Sequence, residues 1–222
     1  LSPRPAGAKT NLALHFPPSV TILEGIRAAL SPATRIDHAR GCDTTGASRD
    51  GFAEAIVAAQ EAEAVILVVG GRSGLVDGCT SGESIDRATL DLPGVQQALV
   101  EAVVAVGRPT VLVLVDGRPL ALPWIAAHVP AVLLAWLPGE EGGNAVADVL
   151  FGRACPGGRL PISLPASVGQ LPVFYAHKPS GGRSHWHGSY VDGSTKPLFP
   201  FGHGLSYGRF RYENLSIAPD RV

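Results

Sequence analysis

"PGVQQALVEAVVAVGRPTVLVLV", Pro93 to Val115, holds two hydrophobic periods back to back. In its first half Val95, Leu99, Val103 and Val106 recur every three or four residues, which sets apolar side chains along one helical face. Pro93 suits a first turn, and Gly107 with Pro109 stops the run. Val111–Val115 is then apolar without a break and too short for a globular helix, so it reads as a strand buried on both faces. The unit repeats to either side. Ala64–Val69 and Ala131–Trp136 are further unbroken apolar runs bounded by Gly, Pro or Asp. "GGNAVADVLFG" sets Val146, Val149 and Leu150 on one face, with Gly152 as the stop. "SRDGFAEAIVAAQEAE" offers Ser48 or Asp50 as a cap. "SVTILEGIRAAL" is another helix candidate, and "TRIDHARG" a weaker strand. Strands alternating with helices at this spacing imply an α/β fold, a three-layer sandwich around a mostly parallel sheet.

Past Pro156 the texture changes to Pro, Gly, His and aromatic residues with no clear period. The expected organisation is therefore a sandwich domain over residues 1–176, without a convincing opening strand. A long irregular arm over 177–222 would follow, ending as the start of a linker to a further β domain. Composition narrows the function. The 222 residues are 45% hydrophobic and 17% charged, with net charge −1, enough material for one sizeable core. Lys and Arg are scattered singly, so there is no basic stripe to meet a row of phosphates, and nucleic acid is not an expected partner. The apolar runs fall far below the roughly 18–20 residues that span a bilayer, so no membrane segment is expected. The opening residues lack the basic segment and apolar core of a signal peptide. Self-association and compartment stay open. Cys42, Cys79 and Cys155 are odd in number and widely spaced, which fits structural thiols better than a disulfide framework or a zinc site.

In open α/β sheets, ligands sit beyond the carboxyl ends of the strands. The connection after Val69 runs from Gly70 to about Leu92, whereas such loops usually take about 2–6 residues. Within it, "CTSGESIDRATLDLPG" (Cys79–Gly94) presents Glu83 between Gly82 and Ser84, a candidate acid/base as well as an ordinary solvated glutamate. Asp86 and Arg87 are expected to form a local ion pair that supports the loop. Other strings are weaker. "VVGGRSG" satisfies neither G-x-G-x-x-G nor the P-loop pattern. "GLSYG" (Gly204–Gly208) matches G-x-S-x-G but lacks the strand before it and the helix after it. "HWH" (His185–His187) has no third metal ligand nearby, so no metal is assigned. Glu140 and Glu141 in "PGEEGG" suit the positive end of a helix dipole.

The blocks "AEAVILVVGG", "GESIDRATLDLPGVQQALVEAV", "GRPTVLVLVDGRPLAL", "AWLPGEEGGNAVADVLFG", "PGGRLPISLP", "GQLPVFY" and "PLFPFGHGLSYGRF" occur in that order along almost the whole chain. Together they resemble the C-terminal α/β-sandwich domain of glycoside hydrolase family 3, of the β-glucosidase and β-xylosidase type. The resemblance implies a retaining exo-glycosidase acting on terminal β-linked glucose or xylose, without a cofactor. A partner (β/α) barrel domain would supply the aspartate nucleophile. The acid/base glutamate of the family's G-E-G-x-D-R-like loop maps onto Glu83, with Ser84 where glycine is usual. By the same implication Arg72, Trp186 and His187 line the rim of the sugar pocket. The sequence shows no barrel, so the chain alone is expected to be inactive. The runner-up is a non-catalytic carbohydrate-binding or bracing sandwich domain; a flavodoxin-like nucleotide module is weaker.

Overall fold

The computed structural model describes residues 18–75, 77–176 and 190–217. In chain order the elements are α1 (Ile22–Ala29), α2 (Phe52–Glu61), β1 (Val65–Gly70), α3 (Gln96–Val104), β2 (Thr110–Val115), α4 (Pro123–His128), β3 (Ala131–Leu134) and α5 (Gly142–Leu150). The strands form one parallel sheet in the order β1-β2-β3. Val65 lies opposite Thr110 through to Gly70 opposite Val115, and Val111 opposite Ala131 through to Leu114 opposite Leu134.

Because side chains alternate across a strand, Leu67 and Val69, Leu112 and Leu114, and Leu134 share one face. That face packs on Val100 of α3 and Ile125 of α4, with Leu120, Leu122 and Val129 filling the gaps. A second cluster, Ala59, Leu99 and Val103, joins α2 to α3. Leu112 and Val113, adjacent on the central strand, are both fully buried, so β2 is covered on both faces. The architecture is an α/β sandwich in which the three described strands are parallel.

α1 and α5 form a second helical pair. A Cβ on Gly25 would overlap the Gly143 carbonyl, and one on Gly143 would overlap the Thr21 carbonyl. Glycine at both positions lets the backbones touch. Thr21 begins α1 with a capping box: its Oγ1 accepts from Glu24 N at 3.2 Å, and Glu24 Oε2 accepts from Thr21 N at 2.8 Å.

The structure corrects several local expectations. α2 starts after Gly51, not with Ser48 or Asp50 as side-chain cap; Ser48 Oγ instead accepts from Asp50 N at 3.2 Å. Residues 34–41 form no strand: Arg35 reaches Asp37 and Glu61 of α2, and Arg40 reaches Asp43, so their side chains serve the surface. The run Ala131–Trp136 leaves the sheet after Leu134, because Trp136 takes left-handed backbone at φ 52°. Pro93 precedes α3, which begins three residues later at Gln96. Beyond α5, the described part of the arm lies along residues 156–170. Leu164 and Phe199 form an isolated bridge, Leu160 N donates to His203 O at 2.9 Å, and the Tyr207 hydroxyl donates to Val149 O at 2.6 Å.

Candidate active site

The long connection between β1 and α3 is tied down from its first residue. Gly70 leaves the strand at φ 147°. The buried amide of Gln96, first residue of α3, holds both of its polar groups: Oε1 accepts from Gly70 N at 2.8 Å and Nε2 donates to Gly70 O at 2.7 Å. Nε2 also donates to Thr44 O at 2.9 Å. Buried Thr80 then closes the base of the loop. Its Oγ1 accepts from Arg72 N at 2.9 Å, and its own N–H donates to Arg72 O at 2.7 Å. Gly74 N donates to Ser81 O at 3.0 Å, extending the ladder.

From this ladder the chain makes a tight turn over Gly82–Ile85, closed by Ile85 N donating to Gly82 O at 3.1 Å. Glu83 is its second residue and is exposed. Ser84, the third, sits at φ 60°, a left-handed conformation that costs an L-residue about 1–2 kcal/mol. Gly82 is also required, because a Cβ there would overlap the Gly74 carbonyl. The carboxyl is thus carried on a short turn closed by a backbone hydrogen bond, in the connection that leaves the carboxyl end of β1.

This geometry makes a direct prediction for Ser84. Ser84→Gly is expected to keep activity and to leave unfolding free energy within about 1 kcal/mol, since relief of strain offsets glycine's extra chain entropy. Ser84→Val is expected to cost about 1–3 kcal/mol, because a β-branched residue tolerates positive φ poorly. Urea unfolding of the two variants checks this; a neutral valine would show that the turn does not hold its left-handed residue in solution.

The supporting residues are arranged differently from the simple expectation. Asp86 and Arg87 do not pair through their side chains among the described residues. Asp86 Oδ1 accepts from the Arg87 backbone N–H at 2.9 Å and lies 2.7 Å from Arg118 Nη1. The Arg87 guanidinium turns the other way, donating to Asp91 O at 2.6 Å and to Thr89 Oγ1 at 3.3 Å. Arg72 enters the loop base through its backbone. Trp186 and His187, with His185, lie outside the described residues.

Asp116 is a site residue that the sequence reading did not single out. It follows β2 directly, is 3% exposed, and its Oδ1 accepts from Arg118 N at 3.0 Å. Burial pushes its carboxyl above the usual aspartate range, against the opposing pull of the Arg118 and Gly117 N–H groups and the charges of Arg118 and Arg87. The available signal was a lone acid immediately after an apolar strand, at the ligand edge of the sheet. Elsewhere, the competing strings take structural positions. Glu141 begins α5 and accepts from Asn144 Nδ2 at 2.6 Å, while Glu140 O accepts from Val20 N at 2.8 Å. Ser206 of "GLSYG" donates to Pro156 O at 3.2 Å and accepts from Arg159 Nη2 at 2.8 Å, pinning the arm. Among the described residues no group of three His, Cys, Asp or Glu is placed to hold a metal.

Comparison with known proteins assigns the family of this chain. The model of the glycosyl hydrolase family 3 C-terminal domain matches residues 5–207. A β-xylosidase of Formosa agariphila is 44% identical over 90% of this chain and 27% of its own length. The periplasmic β-glucosidase of Salmonella typhimurium is 37% identical over 90% of this chain and 29% of its own. Among solved structures, the β-glucosidase of Listeria innocua in complex with isofagomine superposes with a TM-score of 0.74 at 30% identity, covering 87% of this chain and 27% of that one. The chain spans little more than a quarter of the length of these relatives. The family model covers nearly the whole chain, and the chain belongs to the glycosyl hydrolase family 3 C-terminal domain family.

Proposed function

We propose that this chain is the acid/base-bearing domain of a retaining, exo-acting β-glycosidase that removes terminal β-linked glucose or xylose, with Glu83 as the acid/base. The observation that carries the reading is the placement of Glu83. It is an exposed carboxyl at the tip of a bonded four-residue turn, beyond the carboxyl ends of parallel strands, in a chain of this family. The names of the relatives, β-xylosidase and β-glucosidase, supply the substrate class.

A retaining enzyme needs two carboxyl groups roughly 5–5.5 Å apart, one nucleophilic and one protonated when the substrate arrives. In the proposed reaction a barrel domain of the same protein presents an aspartate beneath the sugar, and this domain leans Glu83 over the glycosidic oxygen. Glu83 gives its proton to the leaving oxygen as the aspartate bonds to the anomeric carbon. It then takes a proton from the water that releases the sugar. Fixing the carboxyl on a rigid turn favours this chemistry, since it arrives oriented and loses little freedom on binding. Gln96 and Thr80 contribute by holding the start of the loop at Gly70 and Arg72, and Arg72, Trp186 and His187 are proposed to line the rim of the sugar site.

Because the nucleophile is assigned to the partner domain, the purified 222-residue chain is expected to show no turnover of nitrophenyl β-glucosides or β-xylosides above that of its Glu83→Gln variant. Turnover by the chain alone that disappears in Glu83→Gln would contradict the division of labour. Unchanged activity of the full-length protein on Glu83 substitution would favour a bracing or sugar-binding domain instead.

A further inference from the structure

We propose that Asp116 and Arg118 are positioning residues for Glu83: the carboxylate at the end of β2 sets Arg118, and Arg118 holds the outgoing limb of the Glu83 turn through Asp86. This rests on the reading of Glu83 as the acid/base.

The linkage is continuous in space. Asp116 is wedged into the loop base, so that a Cβ on Gly71 would collide with its Oδ2 and with Thr80 Oγ1. Thr80 is the residue whose hydroxyl and N–H lock Arg72. On its other side Asp116 Oδ1 accepts from Arg118 N, which fixes the start of the Gly117–Arg118 turn. The Arg118 side chain is 20% exposed and reaches up to Asp86, which is 85% exposed and stands three residues after Glu83. One buried acid therefore lies against the incoming limb of the Glu83 loop at Gly71, on the side where Thr80 closes the loop base. Through Arg118 it also reaches the outgoing limb at Asp86.

Two features separate this arrangement from ordinary packing. First, a carboxylate is an expensive way to fill a buried space, and an amide or apolar group of similar volume usually serves stability as well or better. Here burial works against the charge, and only Arg118, Arg87 and two backbone N–H groups support it. Second, the described residues contain two buried side-chain polar atoms without a hydrogen-bond partner, Ser81 Oγ and Arg118 Nη1, and both lie in this base. Arg118 Nη1 is 2.7 Å from Asp86 Oδ1 but off the hydrogen-bonding direction, so charge holds that pair. Ser81 Oγ, two residues before Glu83, is left buried without a hydrogen-bond partner, which marks a base not shaped for stability alone.

The test uses the full-length protein and two substrates with the same sugar: an alkyl glycoside, whose departure needs a proton, and a dinitrophenyl glycoside, whose departure does not. Asp116→Asn keeps the shape and the acceptor for Arg118 N while removing the charge. It is expected to lower kcat/KM for the alkyl glycoside by about 10- to 100-fold, in line with a small displacement of a catalytic group. kcat/KM for the dinitrophenyl glycoside, which reports formation of the glycosyl-enzyme and not its hydrolysis, should change less than about threefold, and the melting temperature should not fall. Asp86→Asn, at an exposed position that does not threaten folding, is expected to show the same selective loss at smaller size. If both variants treat the two substrates alike, or lose activity only in step with melting temperature, the positioning role is overturned. Glu83→Gln is measured alongside. A selective loss there with none at Asp116 and Asp86 removes only the positioning role; no selective loss at Glu83 removes the acid/base assignment and this proposal with it.

Discussion

Glu83→Gln in the full-length protein is expected to lower kcat/KM for an alkyl or unactivated aryl β-glycoside by about 10²–10⁴, the usual worth of general acid–base help. The loss should be confined to catalysis. Glu83 is exposed at the turn tip, while the turn itself is held by backbone bonds from Gly82 and Gly74 that the substitution leaves in place. Glutamine keeps the volume and removes the proton that can be given up, so unfolding free energy should stay within the range of surface changes, about ±0.5 kcal/mol. With a dinitrophenyl glycoside the first step no longer needs the proton, and the defect should move to the hydrolysis of the glycosyl-enzyme. A burst of dinitrophenol followed by slow turnover is the expected trace. A uniform loss on all substrates, with a lowered melting temperature, would mean that Glu83 supports the loop instead.

The second large effect belongs to the core. Leu112→Ala is expected to cost about 2–5 kcal/mol, the range for emptying a fully buried leucine site. Leu112 is 0% exposed at the centre of the middle strand, between Leu67 on β1 and Val132 on β3 in register. Its neighbours Val100 and Ile125 come from helices that lead through short connections into β2 and β3, so the cavity has little means of collapse. By contrast Val132→Ala, at a side chain 36% exposed, should cost less than half as much. Urea unfolding of both variants checks the contrast; equal losses would mean that β2 is not the centre of the core.

Much of the fold was legible because its strands are unbroken apolar runs. Ala64–Val69 and Val111–Val115 are each displaced by a single residue at one or both ends from β1 and β2. What decided their ends was not hydrophobicity but backbone: Gly70 stays in the ladder opposite Val115, and Trp136 turns away at positive φ. α4 was missed because six residues, Pro123–His128, are too few to display a helical period. The weaker strand at residues 34–41 failed because charged pairs to α2 and to Asp43 take up side chains that a sheet would have needed on its faces.

The candidate site divides along the same line. Glu83 was visible as a carboxyl in a long Gly-rich loop after a buried strand, and Ser84 as the departure from glycine beside it. The partners of that loop were not visible, because they come from elsewhere in the chain. Gln96 reads as one more polar residue near a helix start, yet it is buried and holds Gly70 and Thr44 together. Asp86 was paired with its sequence neighbour on proximity, while in space its carboxylate meets Arg118, thirty-two positions away by the numbering of that pair. Asp116 looks like a turn residue until its burial is known.

Rescue of the Glu83→Ala variant tests the central claim most directly. Alanine opens space beside the anomeric carbon, and azide needs no general base to attack the glycosyl-enzyme. In the full-length protein with a dinitrophenyl glycoside, added azide is expected to raise turnover with azide concentration and to yield the β-glycosyl azide, while the unaltered protein gains nothing. Turnover unaffected by azide, with only free sugar as product, would contradict the assignment of Glu83 as the acid/base.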